Sequence, residues 1–220
     1  MQQKHAASSK YAAKENAAKI MQILTKEYGV PRTSLHYSNV LQLLISTILS
    51  AQCTDTRVDM VTPALFKRYK TAEDFAKADT IKLEKIIRST GFYHAKARHI
   101  IESSKMIVNN FHSKVPDTME NLLSLSGVGR KTANLVLSEG YGKLVGIVVD
   151  THVTRLSYRL GLTKEKDAVK IEKDLMKIFS RKDWRAISHF LVFHGRAVCN
   201  ARSPKCSACS LNKVCPKMGV

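Results

Sequence analysis

Four groups of residues in this chain have the types and spacing to do chemistry. The first is Leu125-Ser126-Gly127-Val128-Gly129-Arg130-Lys131-Thr132-Ala133-Asn134. Two glycines bracket one apolar residue, and a basic pair follows where a helix must begin. Glycine permits backbone angles that other residues resist, and Val128 can plug the turn into a core. The N–H groups of the turn and of the next helix are then free to hold an anion. Such a cradle can grip a DNA phosphate, which positions a duplex without reading its sequence. Lys131 falls in the first turn of the new helix. A cation is badly placed there for stability, because that end of the helix dipole is positive. With Arg130 beside it, the position favours the neutral amine, which is a nucleophile. A phosphate-binding lysine without chemistry is the alternative reading of the same position.

The second group is Asp150, which follows the apolar run 145–149 and precedes Thr151-His152. Aspartate is among the best helix N-caps, and a helix opens here. Facing a cleft, the same carboxylate could orient water, stabilise a cation or accept a proton. The third group is Cys199-x6-Cys206-x2-Cys209-x5-Cys215. Zinc ribbons usually supply two closely spaced cysteine pairs, and only one pair has that spacing here. Four thiolates on one compact loop suit a [4Fe–4S] cubane better than zinc. The fourth group is Gln52 and Phe92, an amide and an aromatic on polar or glycine-led loops. Beside a duplex they could fill the gap left by an extruded base. Their ordinary alternatives are a polar helix end and a core aromatic.

The composition says what these groups would act on. Lys and Arg number 36 against 18 Asp and Glu, a formal net charge of +18 spread along the chain. That excess points to a polyanion, nucleic acid before an anionic membrane, and to a folded basic face rather than a basic tail. No apolar run approaches the ~20 residues of a membrane span, and residues 1–10 lack a signal-peptide core. A soluble intracellular protein is expected, cytoplasmic in a prokaryote, with nucleus or mitochondrion left open. Clustered cysteines in such a compartment read as metal ligands rather than disulfides. Nothing in the chain signals oligomerisation, so a monomer is the default.

The elements that must position these residues are helices. Residues 1–9 are expected to fray. Helical spacing covers about 11–28, then a helix capped by Ser38 that is apolar nearly all round and therefore buried. A helix over 56–69 should restart at Pro63. Thr71 with Asp74 makes a capping box, and Thr80 opens the next helix. Further helices are expected over 95–111, 118–125, 130–139, 150–160, 167–179 and 184–198. The run 145–149 is strand-like but has no partner, so it reads as a buried extended connection. Roughly ten helices with short connections make an all-α fold.

Taken together, Leu125-Ser-Gly-Val-Gly-Arg-Lys-Thr-Ala133, Val149-Asp-Thr-His152 and the four-cysteine loop resemble the endonuclease III family of helix-hairpin-helix DNA glycosylases. Leu49-Ser-Ala-Gln-Cys-Thr-Asp55 and Gly91-Phe-Tyr-His-Ala-Lys96 match family segments as well, so the resemblance runs from about residue 35 to 217. It implies a two-domain fold: a six-helix barrel over 33–143 containing the helix-hairpin-helix (about 118–139), and a helical domain from 1–32 and 144–220 bearing the [4Fe–4S] loop 199–215. Double-stranded DNA with damaged bases or abasic sites would lie across the cleft. Lys131 would be the catalytic nucleophile and Asp150 its essential carboxylate. Gln52 and Phe92 would enter the helix at the lesion, while Gly127, Val128, Gly129 and Arg130 grip the backbone. Cys199, Cys206, Cys209 and Cys215 would hold the cluster. The implied activity is that of a bifunctional glycosylase and AP lyase of base excision repair, removing oxidised pyrimidines and cutting 3′ to the abasic site. The chain departs from the family at Ser126, often Pro, and at Phe92, His94 and Cys53, where Leu, Asn and Ala are common. Two other readings remain. Mismatch-specific adenine or thymine glycosylases commonly replace the lysine with Ser or Tyr, and a structural DNA-binding protein would need neither Lys131 nor Asp150.

Overall fold

The computed structural model describes residues 2–31 and 33–220, with side chains from residue 14 onward. Among the described residues the chain is helical with no strand. It divides into two compact units, Thr33–Val145 and the pairing of Met1–Arg32 with Gly146–Val220.

The unit Thr33–Val145 is organised around α2 (Val40–Leu49), with Leu43, Leu44, Ile45, Ile48 and Leu49 buried on all sides. Full burial of each is worth ~1.5–3 kcal/mol before ordering entropy is set against it, so this one helix contributes on the order of 10 kcal/mol gross. Its N-cap is Asn39 rather than Ser38: Oδ1 of Asn39 accepts from the Gln42 N–H at 3.0 Å, and Gln42 Oε1 in turn accepts from the Ser38 N–H at 2.9 Å. Around it pack α3 (Asp55–Arg68), α4 (Ala72–Ala76), α5 (Thr80–Ile87), α6 (Tyr93–Asn110), α7 (Met119–Leu123) and α8 (Arg130–Leu135). α3 runs through Pro63, an exposed residue, without restarting, at the loss of one helical hydrogen bond. α4 opens with the expected capping box of Thr71 and Asp74. α5 is capped by Asp79, one residue before Thr80. α8 passes directly into a π-helical turn, Val136–Gly140.

The second unit is built from α1 (Gln2–Tyr28), α9 (Thr151–Arg159), α10 (Ala168–Ile178), α11 (Trp184–Ala197) and the C-terminal loop. α1 begins well before the predicted start near residue 11. Ala17, Ile20 and Leu24 on it are buried with Leu156, Ile171, Leu175, Phe190 and Leu191. The run 145–149 forms no strand: the chain bends at 145–146 and continues irregularly, with Ile147 and Val149 buried, so the expected connection is buried but not uniformly extended.

Candidate active site and nucleic-acid interface

In the unit Thr33–Val145, the glycine motif forms a tight turn between α7 and α8. The Val128 N–H donates to the Leu125 carbonyl at 3.2 Å, and Gly127 at the third position of that turn has φ 74°. A β-turn with positive φ there favours glycine. Space adds to the requirement, since a Cβ on Gly127 would lie 2.8 Å from both Cβ and Cγ of His99. Gly129 differs from the sequence expectation. Its φ of −92° and ψ of 176° are open to any residue. It is the N-cap of α8, has no side-chain cap, and a Cβ there would meet nothing within 4 Å. Its glycine therefore answers no steric demand of the fold. Val128 is buried in the core, as expected. Arg130 is half-buried and Lys131 exposed, both in the first turn of α8.

The turn is fastened to α6 by a cluster the sequence did not flag. Ser126 Oγ donates to Glu102 Oε2 at 2.6 Å and meets His99 Nδ1 at 2.9 Å. His99 and Glu102 lie three residues apart on α6, so they share a face. Ser126, where the family often has Pro, thus holds the entry to the turn by side-chain bonds instead of a fixed φ.

Gln52 and Phe92 are both exposed, Phe92 to 66%. The core reading of Phe92 is therefore set aside. Both residues are left-handed, with φ 51° and 49°. That conformation costs a non-glycine residue about 1–2 kcal/mol, so the surrounding structure must hold each loop in place. Lys96 is 4% exposed, and its Nζ donates to the carbonyls of Leu49 and Thr90, each at 2.7 Å. Burial holds its pKa below the ordinary lysine value. The sequence carried a signal for it: residue 96 falls on the inward face of α6 with Ile100 and Ile107.

In the other unit, Asp150 is the N-cap of α9. Its Oδ1 accepts from the N–H groups of His152 and Val153 at 2.9 and 2.8 Å, and Oδ2 meets His152 Nδ1 at 3.0 Å. The capping reading is correct. The side chain nonetheless keeps 16% exposure, so part of it faces solvent.

All four cysteines of the C-terminal loop line one pocket, with Arg159, Asn212 and Lys217. Arg159 Nη1 donates to Cys199 Sγ at 3.3 Å and to the Asn200 carbonyl at 2.7 Å, while Nη2 donates to the Ala201 carbonyl at 2.8 Å. Arg155 fixes the Cys199 and Gly195 carbonyls. His194, buried in α11, joins Tyr28 Oη at 2.9 Å to Cys209 Sγ at 3.2 Å. The Lys217 N–H points to Cys215 Sγ at 3.4 Å. Burial holds the Cys209 and Cys215 thiols above the ordinary thiol pKa. Among the described residues, no three His, Cys, Asp or Glu side chains converge on a point able to hold a single metal ion.

Residues 45–181 match the pattern of HhH-GPD superfamily base excision DNA repair proteins. Endonuclease III of Synechocystis sp. is 51% identical over 203 residues, spanning 92% of this chain and 93% of that protein. The chain belongs to the endonuclease III family. Endonuclease III of Bacillus subtilis is 44% identical over 82% of this chain and 83% of its own length. A solved structure of a trapped endonuclease III–DNA covalent intermediate superposes with a TM-score of 0.88 at 38% identity, over 93% of this chain and 96% of that one. Membership of the endonuclease III family makes the all-helical architecture and the glycine turn expected features. No described helix is long and apolar enough to cross a membrane.

Proposed function

We propose that this protein removes oxidised pyrimidines from duplex DNA and cuts the strand 3′ to the abasic site through a Schiff base on Lys131. One observation carries the assignment: Lys131 stands exposed in the first turn of α8, immediately beyond an uncapped glycine N-cap, in a chain 51% identical to an endonuclease III. The glycosylase and lyase activities are those of the family; the residue roles are the proposal.

Backbone N–H groups of Gly127, Gly129 and the head of α8 grip a phosphate, with Arg130 adding charge, while Val128 seats the turn, its N–H spent on the Leu125 carbonyl. The damaged nucleotide leaves the stack, at a cost smallest for a damaged base, while Gln52 and Phe92 enter the duplex. The Lys131 amine forms a bond to the sugar carbon that bears the base, and the C–N bond to the base breaks. The base departs with its electron pair and takes up a proton. Asp150 stabilises the cationic sugar and takes the proton the amine sheds; the bond from that carbon to the ring oxygen then breaks, the oxygen takes up a proton, and the iminium forms. Loss of a proton from the adjacent sugar carbon expels the 3′ phosphate, and water then releases the lysine. The sequence is redox-neutral. A relative has been captured as a covalent intermediate with DNA, which supports the lysine route. The charge of +18 supports a duplex partner, and a monomer in a bacterial cytoplasm is the setting proposed.

Cys199, Cys206, Cys209 and Cys215 hold a [4Fe–4S] cluster in this reading, which ties the C-terminal loop together and adds no electron to the reaction. The donor set supports it: four thiols round one pocket, with N–H groups aimed at three of the sulfurs. Donors that hydrogen-bond to ligand sulfurs orient them and stabilise the thiolate form.

Borohydride added to the protein and duplex DNA bearing an oxidised thymine should yield a covalent adduct, absent in Lys131→Ala. No adduct from cluster-loaded wild-type protein would falsify the lyase assignment. Isolated protein should be brown and contain iron, and a colourless zinc protein would remove the cluster.

A further inference from the structure

Lys96 has no part in the reaction above, yet it occupies a position that stability alone would not give to a lysine. It is buried, and it lies near the positive end of α6. What offsets this is a pair of charge-assisted hydrogen bonds to backbone carbonyls distant from each other in the chain. Leu49 is the last residue of α2, where carbonyls lack helical partners and the dipole is negative. Thr90 closes the 3₁₀ turn Arg88–Thr90. Gln52 follows Leu49 by three residues, and Phe92 follows Thr90 by two. The ammonium therefore joins the roots of the two loops whose tips are Gln52 and Phe92, both held in left-handed conformations. The acceptors are backbone atoms, so only a change at residue 96 removes the tie.

We propose that Lys96 is a positioning residue for base extrusion, its ammonium fixing the spacing between the Gln52 and Phe92 loops so that both side chains reach one lesion. This rests on the reading that those two residues enter the duplex. A brace of this kind acts on the step that replaces a base in the stack. It has less effect on a substrate whose base is already gone.

The test compares single-turnover base release from a duplex containing thymine glycol with strand cleavage of the same duplex carrying a preformed abasic site. Lys96→Met should slow base release about 10- to 100-fold, as sub-ångström to ångström misplacement does, with less than about a 3-fold change at the abasic site. Adding Lys96→Met to the Gln52→Ala/Phe92→Ala variant should cost less than about 3-fold more, because the brace acts only through those side chains. Lys96→Arg keeps the charge and both donors on a longer arm. It should give a smaller loss confined to the damaged base, and it carries the test if Lys96→Met does not fold. Equal losses on both duplexes, or losses that multiply in the combined variant, overturn the role of Lys96. If Gln52→Ala/Phe92→Ala releases thymine glycol at the wild-type rate, the reading of the loops fails first, whatever happens at residue 96.

Discussion

The two glycines of the turn should respond oppositely to the same substitution. In Gly127→Ala the backbone stays at φ 74°, a region that costs an L-residue about 1–2 kcal/mol. The new methyl would lie 2.8 Å from His99 Cβ and Cγ, well inside the ~3.5–4.0 Å of ordinary carbon contact. These are the root atoms of a side chain held by Ser126, so it cannot swing clear. Overpacking of this kind adds about 1–3 kcal/mol. The two effects together come to about 2–5 kcal/mol, a large part of a typical stability of 5–15 kcal/mol. In Gly129→Ala the backbone is already ordinary and the space is open. The loss of unfolded-chain freedom, worth about 0.4–1 kcal/mol, offsets the poorer N-cap, so stability should stay within about 1 kcal/mol. If the head of α8 holds a phosphate as proposed, the methyl instead fills space the phosphate needs. Urea unfolding should separate the variants by about 2 kcal/mol or more, with Gly127→Ala the weaker. Fluorescence anisotropy on undamaged duplex, at several salt concentrations, should show Gly129→Ala binding about 10-fold more weakly with a shallower salt slope. Equal urea midpoints would refute the steric account of Gly127. Unchanged DNA binding by Gly129→Ala would remove the phosphate from its neighbourhood.

Asp150 can be divided into cap and catalyst. Asparagine caps as well as aspartate, so Asp150→Asn should melt within about 1 kcal/mol of wild type and Asp150→Ala about 1–2 kcal/mol lower. Both should lose at least about 10-fold in Schiff-base formation, and full activity in Asp150→Asn would leave the residue a cap alone. The Asp74 carboxylate accepts from the Lys70 and Thr71 N–H groups, which hold its pKa below the ordinary 3.8. A depressed folded pKa means that the stabilisation is fully present above the unfolded value and is lost as pH falls through the folded one. The stability difference between wild type and Asp74→Asn should therefore be constant near neutrality and shrink below about pH 4. A difference that persists undiminished in strong acid would show that the capping box does not depend on the charge.

Much of the molecule could be read directly along the chain. Helical periodicity located α2 as the buried centre of its unit, and the Thr71–Asp74 capping box appeared where predicted. The order of glycine turn, lysine, aspartate and four cysteines was enough to place the family. These features are local: a cap, a turn or an amphipathic face involves residues a few positions apart, so their spacing is their geometry. Even so, a local choice between neighbours was missed at Asn39 over Ser38, because adjacent residues compete for one cap and the winner is set by backbone angles.

Tertiary structure decided what depends on distant partners. Only folding shows that Gly127 is forced by His99 while Gly129 is free, that Phe92 is exposed rather than core, and that Ser126 is tied to Glu102. Lys96 is the sharpest case. Its periodicity placed it on a buried face, but its bond to the Leu49 carbonyl spans 47 residues. The residue types and their order fixed which chemistry the chain carries. Burial, which removes water and leaves a charge only the partners that folding brings to it, decided how the loops bearing that chemistry are held.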